Sequence, residues 1–343
     1  MKCILIPLFL FSIILVNCDQ NDAIPTYDKL RFKKGNHTLN RPLLHFTPEY
    51  GWMNDPNGCW YDKQENIYHI YFQYNPEDTI WGMPLYWGHA TSKNLITWEE
   101  QKIAIRAPDW AGAYSGSMFI DDECASPWFL NQCTEDTKYQ KVIAAWTWNN
   151  KDWYEYQCLS YSTDQGKSFI TPDNNDTVKS CPAVNESDSK QFRDPQVIKY
   201  DSGKYVMSIA KSHEYAIKFY KSADGVSWSP LGAFTLYGYL GFQYECPNLV
   251  HLKNPEKNNY PNELNSYWIL FISINPGSQQ GGSSTEYFIG NFTYDNVTDQ
   301  KPYTLIYNYN TLIDVGKDFY AMQIIIFLQQ LLKCLVVLIQ QLE

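Results

Sequence analysis

The chain has 343 residues, of which 16% are aromatic (27 Tyr and 12 Trp among them), with a mean hydropathy of −0.42 and a formal net charge of −10. This length holds one large β domain or two ordinary ones, and the ring-rich composition suits half-wet strands and ring-lined clefts better than a helical bundle. The acidic balance argues against a nucleic-acid backbone as partner; a neutral or cationic small substrate is compatible with it, as is plain solubility.

The first eighteen residues are MKCILIPLFLFSIILVNC. One Lys, an apolar run from Cys3 to Val16 and a close of small or polar residues form a secretory signal over 1–18, with cleavage expected after Cys18. The run is short for a membrane span. Sequons follow at Asn36, Asn175, Asn185, Asn291 and Asn296. Behind such a leader they predict a secreted glycoprotein, extracellular or in the cell wall, with the vacuole as the alternative, and no membrane partner once the signal is removed. Cys124 and Cys133 flank a loop and can pair, but the sequence leaves the connectivity of the cysteines open. No C-x-x-C or H-E-x-x-H pattern occurs and the His are scattered, so no metal site is expected.

From residue 51 to 320 short aromatic or β-branched runs recur, among them Ile67–Tyr74, Val142–Trp148, Tyr156–Tyr161, Tyr205–Ala210, Ile217–Tyr220 and Tyr267–Ile274. Gly, Pro, Asn, Asp or Ser bound each run, which is strand-and-turn punctuation. Three turns look alike: Thr91–Trp98, Ser162–Phe169 and Ser222–Trp228. Each offers Ser or Thr with Asp or Asn to close a hairpin, and each ends on a large ring that can cap the next sheet. Recurrence every sixty to seventy residues predicts an all-β chain folded as a five-bladed β-propeller; a β-sandwich is the competing architecture. Blades are expected to start near Trp52, Tyr114, Phe192, Tyr244 and Val315.

Those starts carry acids. Asp55 lies in WMNDPNG, Asp194 in FRDP and Glu245 in YECP, each within three residues of a ring and each with a nearby Pro. Singly, an acid beside Pro is a turn residue or cap. Three on the first strands of separate blades face one channel, where partly desolvated carboxylates drive each other's pKa values apart. One then remains ionised while another stays protonated.

WMNDPNG, FRDP and YECP, in this order and spacing, resemble the signature motifs of glycoside hydrolase family 32, the family of invertases, inulinases and other β-fructofuranosidases. Longer stretches resemble its secreted yeast members: HFTPEYGWMNDPNGCWYD, YFQYNPEDTIWGMPLYWGHATS, YSGSM, LGFQYECPNL, YWILFISINPG and VGKDFYAMQ. The likeness covers about Arg41 to Gln323. It implies retaining hydrolysis of terminal β-D-fructofuranosides, sucrose first, with no metal or organic cofactor and a small sugar as partner. Inulinase and fructosyltransferase activities are the alternatives inside the family. The resemblance assigns Asp55 as nucleophile, Glu245 as acid/base and Asp194 as the carboxylate that holds fructosyl hydroxyls. It places Trp52, Met53, Asn54, Gln73 and Trp81 on the pocket wall, with Tyr114-Ser115 where the family has Phe-Ser. Arg193 is expected either to bridge substrate and carboxylates or to serve as a structural ion pair. Trp60, Trp87 and Trp98 are expected in the blade cores.

After Gln323 the text changes to IIIFLQQLLKCLVVLIQQLE, without Trp, Tyr, Gly or Pro. The expected organisation is therefore a propeller over 41–322 with its fifth blade incomplete, then a divergent apolar tail over 323–343. The tail reads as a shifted reading frame, a splice product or a gene-model artefact. The family's C-terminal β-sandwich is absent, which puts family-type oligomerisation in doubt. Poor stability and reduced or absent hydrolysis are expected from an open ring. An inactive pseudoenzyme or sugar-binding remnant is the alternative function.

Overall fold

The fold follows from an antiparallel meander that is repeated four times. A computed structural model describes residue 42 and residues 45–337, apart from 108–110, 173–180, 185, 255–264, 280, 296, 308–310 and 327–333. The leader and the sequons at Asn36, Asn175, Asn185 and Asn296 lie outside the described residues; Asn291 is exposed on a strand. Among the described residues no helix is long and apolar enough to cross a membrane.

The first sheet runs β1 (Trp52–Asp62), β2 (Ile67–Asn75), β3 (Tyr86–Ser92) and β4 (Glu99–Glu100) in chain order. The second holds β5 (Gly112–Ile120), β6 (Val142–Asn149) and β7 (Glu155–Tyr161), extended by a bridge from Tyr161 to Ile170. The third holds β8 (Phe192–Asp201), β9 (Lys204–Lys211), β10 (Ala216–Ser222) and β11 (Ser229–Thr235). The fourth holds β12 (Tyr244–Lys253), β13 (Ser266–Ile274), β14 (Ser284–Phe292) and β15 (Tyr303–Leu305), with β16 (Thr311–Leu312) also on β14. Last comes a two-stranded ribbon of β17 (Gln323–Ile326) and β18 (Cys334–Val337).

The three similar turns are one device. Ser92 Oγ accepts from the N–H of Asn94 and Leu95, and Asn94 Oδ1 from Ile96 and Thr97. Ser162 Oγ accepts from Gly166 N–H and Asp164 Oδ1 from Ser168 N–H. Ser222 Oγ accepts from Gly225 N–H and Asp224 Oδ1 from Val226 and Ser227. In each case a short polar side chain replaces ladder bonds that a tight turn cannot make. The closing rings Trp98, Phe169 and Trp228 then pack onto separate core clusters.

The core lies between successive sheets, as propeller packing requires. Trp60, Tyr71, Trp87, Met118 and Trp146 fill the space between the first and second sheets. Phe119, Ile143, Phe192, Tyr205 and Met207 fill that between the second and third. Val206, Phe219, Tyr244, Leu249, Trp268 and Phe288 fill that between the third and fourth. Cys124–Cys133 and Cys158–Cys181 are disulfide-bonded, while Cys59 and Cys246 are free and buried.

The chain is thus all-β and propeller-like, but where five blades were expected the described residues form four. Val315, expected near a blade start, is exposed in a bend, and the next strand begins only at Gln323. The physical reason is in the text after Met322, which supplies no Gly, Pro, Asn, Asp or Ser to punctuate further strands. What forms is a ribbon packed on the fourth sheet through Met322, Val250 and Phe271.

Candidate active site

The innermost strand of every sheet breaks its ladder at the same end of the ring. Register shifts fall between Met53 and Gly58 in β1, Tyr114 and Gly116 in β5, Arg193 and Gln196 in β8, and Glu245 and Asn248 in β12. A bulge of this kind turns a side chain out of the strand's alternation and toward a site. It also accounts for the prolines. Pro56, Pro195 and Pro247 sit inside the shifts, where the missing N–H costs no ladder bond. Asp194 and Cys246 take left-handed backbone there, at φ 63° and 45°. Such strain in a non-glycine residue gathers at functional sites. The Asp194 N–H, released from the ladder, donates to Thr147 Oγ1 at 3.1 Å.

These bulges converge on one cavity of about 120 Å³, lined by Asn54, Asp55, Gln73, Trp81, Leu85, Tyr114, Ser115, Arg193, Asp194 and Glu245. The three acids are brought together, and Asn54, Gln73, Trp81, Tyr114, Ser115 and Arg193 surround them. Trp52 and Met53 are not in the lining. Strand alternation sends Met53 to the face opposite Asn54, against the cluster of Cys59, Ile70, Phe72 and Tyr74. Trp52 is the first residue of β1 and pairs opposite Asn75, with its N–H on Asp78 O at 2.7 Å. Gln73 is anchored by donating to Ala113 O at 2.9 Å. Asn54 Oδ1 is buried without a hydrogen-bond partner, an acceptor suited to a hydroxyl-bearing ligand.

Arg193 organises the charge. Its Nε and Nη2 donate to Glu245 Oε1 at 2.9 and 2.6 Å, and its Nη1 donates to Gln191 Oε1 at 2.7 Å and Glu155 Oε1 at 3.3 Å. Nη2 also donates to Gln243 Oε1 at 3.1 Å. Arg193 is thus a buried ion pair that also lines the cavity. The Tyr320 hydroxyl donates to the other Glu245 oxygen, Oε2. Ser115 Oγ donates to Asp55 Oδ2 at 2.7 Å, and Cys246 N–H donates to Asp194 Oδ2 at 2.9 Å. The Cys246 thiol lies 3.6 Å from Asp55 Oδ2 and 3.5 Å from Asp194 Oδ2, a wedge between the two carboxylates.

Burial pushes Asp55 up to about 6, and the Glu245 charge adds to it, against the opposing pull of Ser115, Cys246 and Arg193. Asp55 is enclosed by protein atoms but keeps a face on the cavity, so its desolvation is partial. Burial also raises Asp194, with Arg193 opposing and the Glu245 and Asp55 charges adding. Glu155 is raised by burial and eased by Arg193. Burial alone would lower Arg193, but Glu245, Glu155 and Asp194 more than reverse it and hold the guanidinium charged. One cation therefore faces four carboxylates in a partly dry space, which keeps protons bound within the cluster at mild acidity. A site that holds a proton beside ionised carboxylates has what a displacement with acid assistance requires.

Leu85, Glu155, Gln191, Gln243, Cys246 and Tyr320 are parts of the site that the sequence reading did not assign. Cys246 and Tyr320 stand inside the quoted stretches YECP and VGKDFYAMQ. Glu155 carries no comparable signal, because its only mark is a position at the head of β7.

Residues 45–336 match the profile of the glycosyl hydrolases family 32 N-terminal domain. The chain belongs to this family. Its family 32 match extends past Gln323 through most of the ribbon. The chain is 45% identical over 301 residues to invertase 2 of Saccharomyces cerevisiae, covering 86% of this chain and 52% of that protein. It is 41% identical over 292 residues to the invertase of Debaryomyces hansenii, covering 84% of this chain and 50% of that one. Among solved structures, the β-fructofuranosidase of Schwanniomyces occidentalis complexed with fructosyl-erythritol superposes with a TM-score of 0.73 at 40% identity, covering 85% of this chain and 52% of that chain. The chain spans about half the length of the curated relatives it matches.

Proposed function

We propose that the chain cleaves terminal β-D-fructofuranosides with retention, sucrose to glucose and fructose in the first instance. The observation that carries this reading is the convergence of Asp55, Asp194 and Glu245 on one cavity around Arg193. Support also comes from the relatives: two are invertases, and the S. occidentalis enzyme is known in complexes with fructose and fructosyl-erythritol.

In the proposed reaction, ionised Asp55 attacks the anomeric C2 of the fructosyl unit. Protonated Glu245 gives its proton to the glycosidic oxygen as the C2–O bond breaks, so glucose leaves neutral and a fructosyl–Asp55 ester remains. Glu245, now a carboxylate held by Arg193 and Tyr320, takes a proton from water as that water attacks C2. Fructose leaves and Asp55 returns ionised, with Glu245 protonated again. Asp194 accepts hydrogen bonds from fructosyl hydroxyls, bonds that tighten as positive charge develops at C2. Ser115 and the Cys246 thiol fix the Asp55 carboxylate in the attacking position.

The test is reducing-sugar release from sucrose by the purified chain, with Asp55→Asn as control. Release that falls by at least about a thousandfold in the variant supports the reading, and equal release from both proteins removes it. We also propose that the chain is a secreted glycoprotein. Asn291 is exposed on β14, and an unaltered electrophoretic mobility of the secreted protein after endoglycosidase treatment would overturn this.

A further inference from the structure

We infer that Glu155 is a positioning residue for the acid/base step: it shares the Arg193 guanidinium with Glu245, and so favours the protonated Glu245 that the leaving oxygen needs. This rests on the fructoside reading above and deepens it. Arg193 donates to Glu245 Oε1 through both Nε and Nη2, at 2.9 and 2.6 Å. A guanidinium held on one carboxylate in this way favours the ionised form. With nothing to oppose it, the pair would be poorly set up to deliver a proton.

Glu155 is placed to oppose it. It is the buried first residue of β7, and its N–H donates to Ser189 O at 3.0 Å. Its Oε2 accepts from the Phe192 N–H at 2.5 Å, and its two carboxyl oxygens lie 3.3 and 3.4 Å from Arg193 Nη1. Each of these contacts is made by a donor, the pattern that suits an ionised carboxylate. The guanidinium therefore lies between two carboxylates, Glu245 at Nε and Nη2 and Glu155 at Nη1. One positive charge cannot neutralise both. Holding the Phe192 N–H needs only an acceptor, which an amide would supply without the cost of a buried charge. The charge itself is what the structural role leaves unexplained.

The groups that face Glu155 from neighbouring elements leave Arg193 as its counter-ion. Burial raises Glu155, Arg193 opposes this, and the Glu245 charge on β12 adds to it. From β5 comes the Tyr114 hydroxyl, raised by burial and by the Glu155 charge. β8 adds Asp194, which helps Glu245 and Glu155 to hold Arg193 charged. The segment before β8 brings Gln191, whose Oε1 accepts from Arg193 Nη1 at 2.7 Å, and Glu186, which lines a second cavity of about 40 Å³ with Glu155. The lysines nearby are engaged elsewhere: Lys211 Nζ donates to the carbonyls of Asp188 and Lys190, and Lys190 Nζ lies over the Tyr154 ring. Among the described residues Arg193 is thus the one cation paired with Glu155. Competition for that cation and direct repulsion between the two carboxylates act on Glu245 in the same direction.

The pH profile of kcat/KM for sucrose tests the inference, because its alkaline limb reports the free enzyme's essential acid. Glu155→Gln keeps the shape and the acceptor but removes the charge, so that Arg193 acts on Glu245 alone. The alkaline limb should then move about one unit to lower pH. Glu155→Asp, which keeps the charge, should return most of that shift. Gln191→Glu adds a carboxylate at the same Nη1 and should move the limb the other way, to higher pH. A Glu155→Gln protein whose limb stays at the parental pH, with activity scaled equally across the profile, would overturn the inference and leave the fructoside reading standing. Where Glu155→Gln does not fold, a Gln191→Glu limb that fails to rise overturns it equally. If the parent protein releases no reducing sugar at any pH, the fructoside reading falls and the inference falls with it.

Discussion

Asp55 shows in one residue how a site of this kind trades stability for chemistry. Its carboxyl is raised from 3.8 to about 6, first by burial and then by the neighbouring Glu245 charge. A group whose folded pKa is raised contributes its stability in full below the unfolded value. That contribution disappears as pH climbs through the folded value. Ionised Asp55 is therefore a burden at neutral pH, about 1–3 kcal/mol once its open face is allowed for. Asp55→Asn removes the charge while keeping the shape. The variant should melt several degrees above the parent at pH 7, and the gap should close as pH is lowered to about 4. Thermal melts at both pH values check this, and a gap of the same size at each would show that burial of the charge is not the cause. Asp55 was legible in the sequence because WMNDPNG marks both a turn and an acid. Its neighbour Cys246 and the Glu245 partner Tyr320 were less legible, since a thiol and a phenol have many structural uses and only three-dimensional placement gives them these.

At the scale of elements, the site is a set of four matched bulges. The sequence pattern of an acid close to Pro was visible in three of them, but its meaning as a ladder defect appears only when both strands are known. In β5 the device differs. Gly116 follows Ser115, and a Cβ at Gly116 would lie 2.0 Å from Ala145 O and 2.8 Å from Trp146 Cα, both backbone atoms of β6. The strands approach so closely that only glycine fits. Gly116→Ala must push β5 away from β6 and carry Ser115 off the Asp55 carboxylate. A loss of about 1–3 kcal/mol in stability follows from overpacking, with sucrose hydrolysis falling at least about tenfold through kcat. Urea unfolding and steady-state kinetics measure the two. A variant of parental stability and activity would show that β5 relaxes freely and that its position does not set Asp55. The similar turns were read correctly as hairpin closers because Ser-x-Asp and Ser-x-Asn chemistry is local. The number of blades was not, because it depends on what the last segment packs against.

At the scale of the whole molecule, the question is how a ring of four sheets is held shut. The ribbon supplies the join. Asn248 Nδ2 on β12 donates to Met322 O at 2.9 Å, and Gln323 Nε2 donates to Gly116 O at 3.2 Å on β5. β17 also lies against β1, so the ribbon and the residue before it join the fourth sheet to the first, and Gln323 reaches across to the second. The acceptor of the second bond lies in the bulge beside Ser115, which hydrogen-bonds Asp55. Loosening the join should therefore reach the site, unlike an equally buried defect elsewhere. Gln323→Ala removes a buried side-chain hydrogen bond, at a cost of about 0.5–1.5 kcal/mol. Tyr294→Phe is the comparison: it deletes a buried hydroxyl bond to Ser222 O in the interior between the third and fourth sheets. Both variants should lose stability by similar amounts. Only Gln323→Ala should lower sucrose hydrolysis, by roughly three- to tenfold, when both are assayed well below their melting temperatures. Equal activity in the two variants would mean that the ring closes without the ribbon, and that the site is held by the four sheets alone.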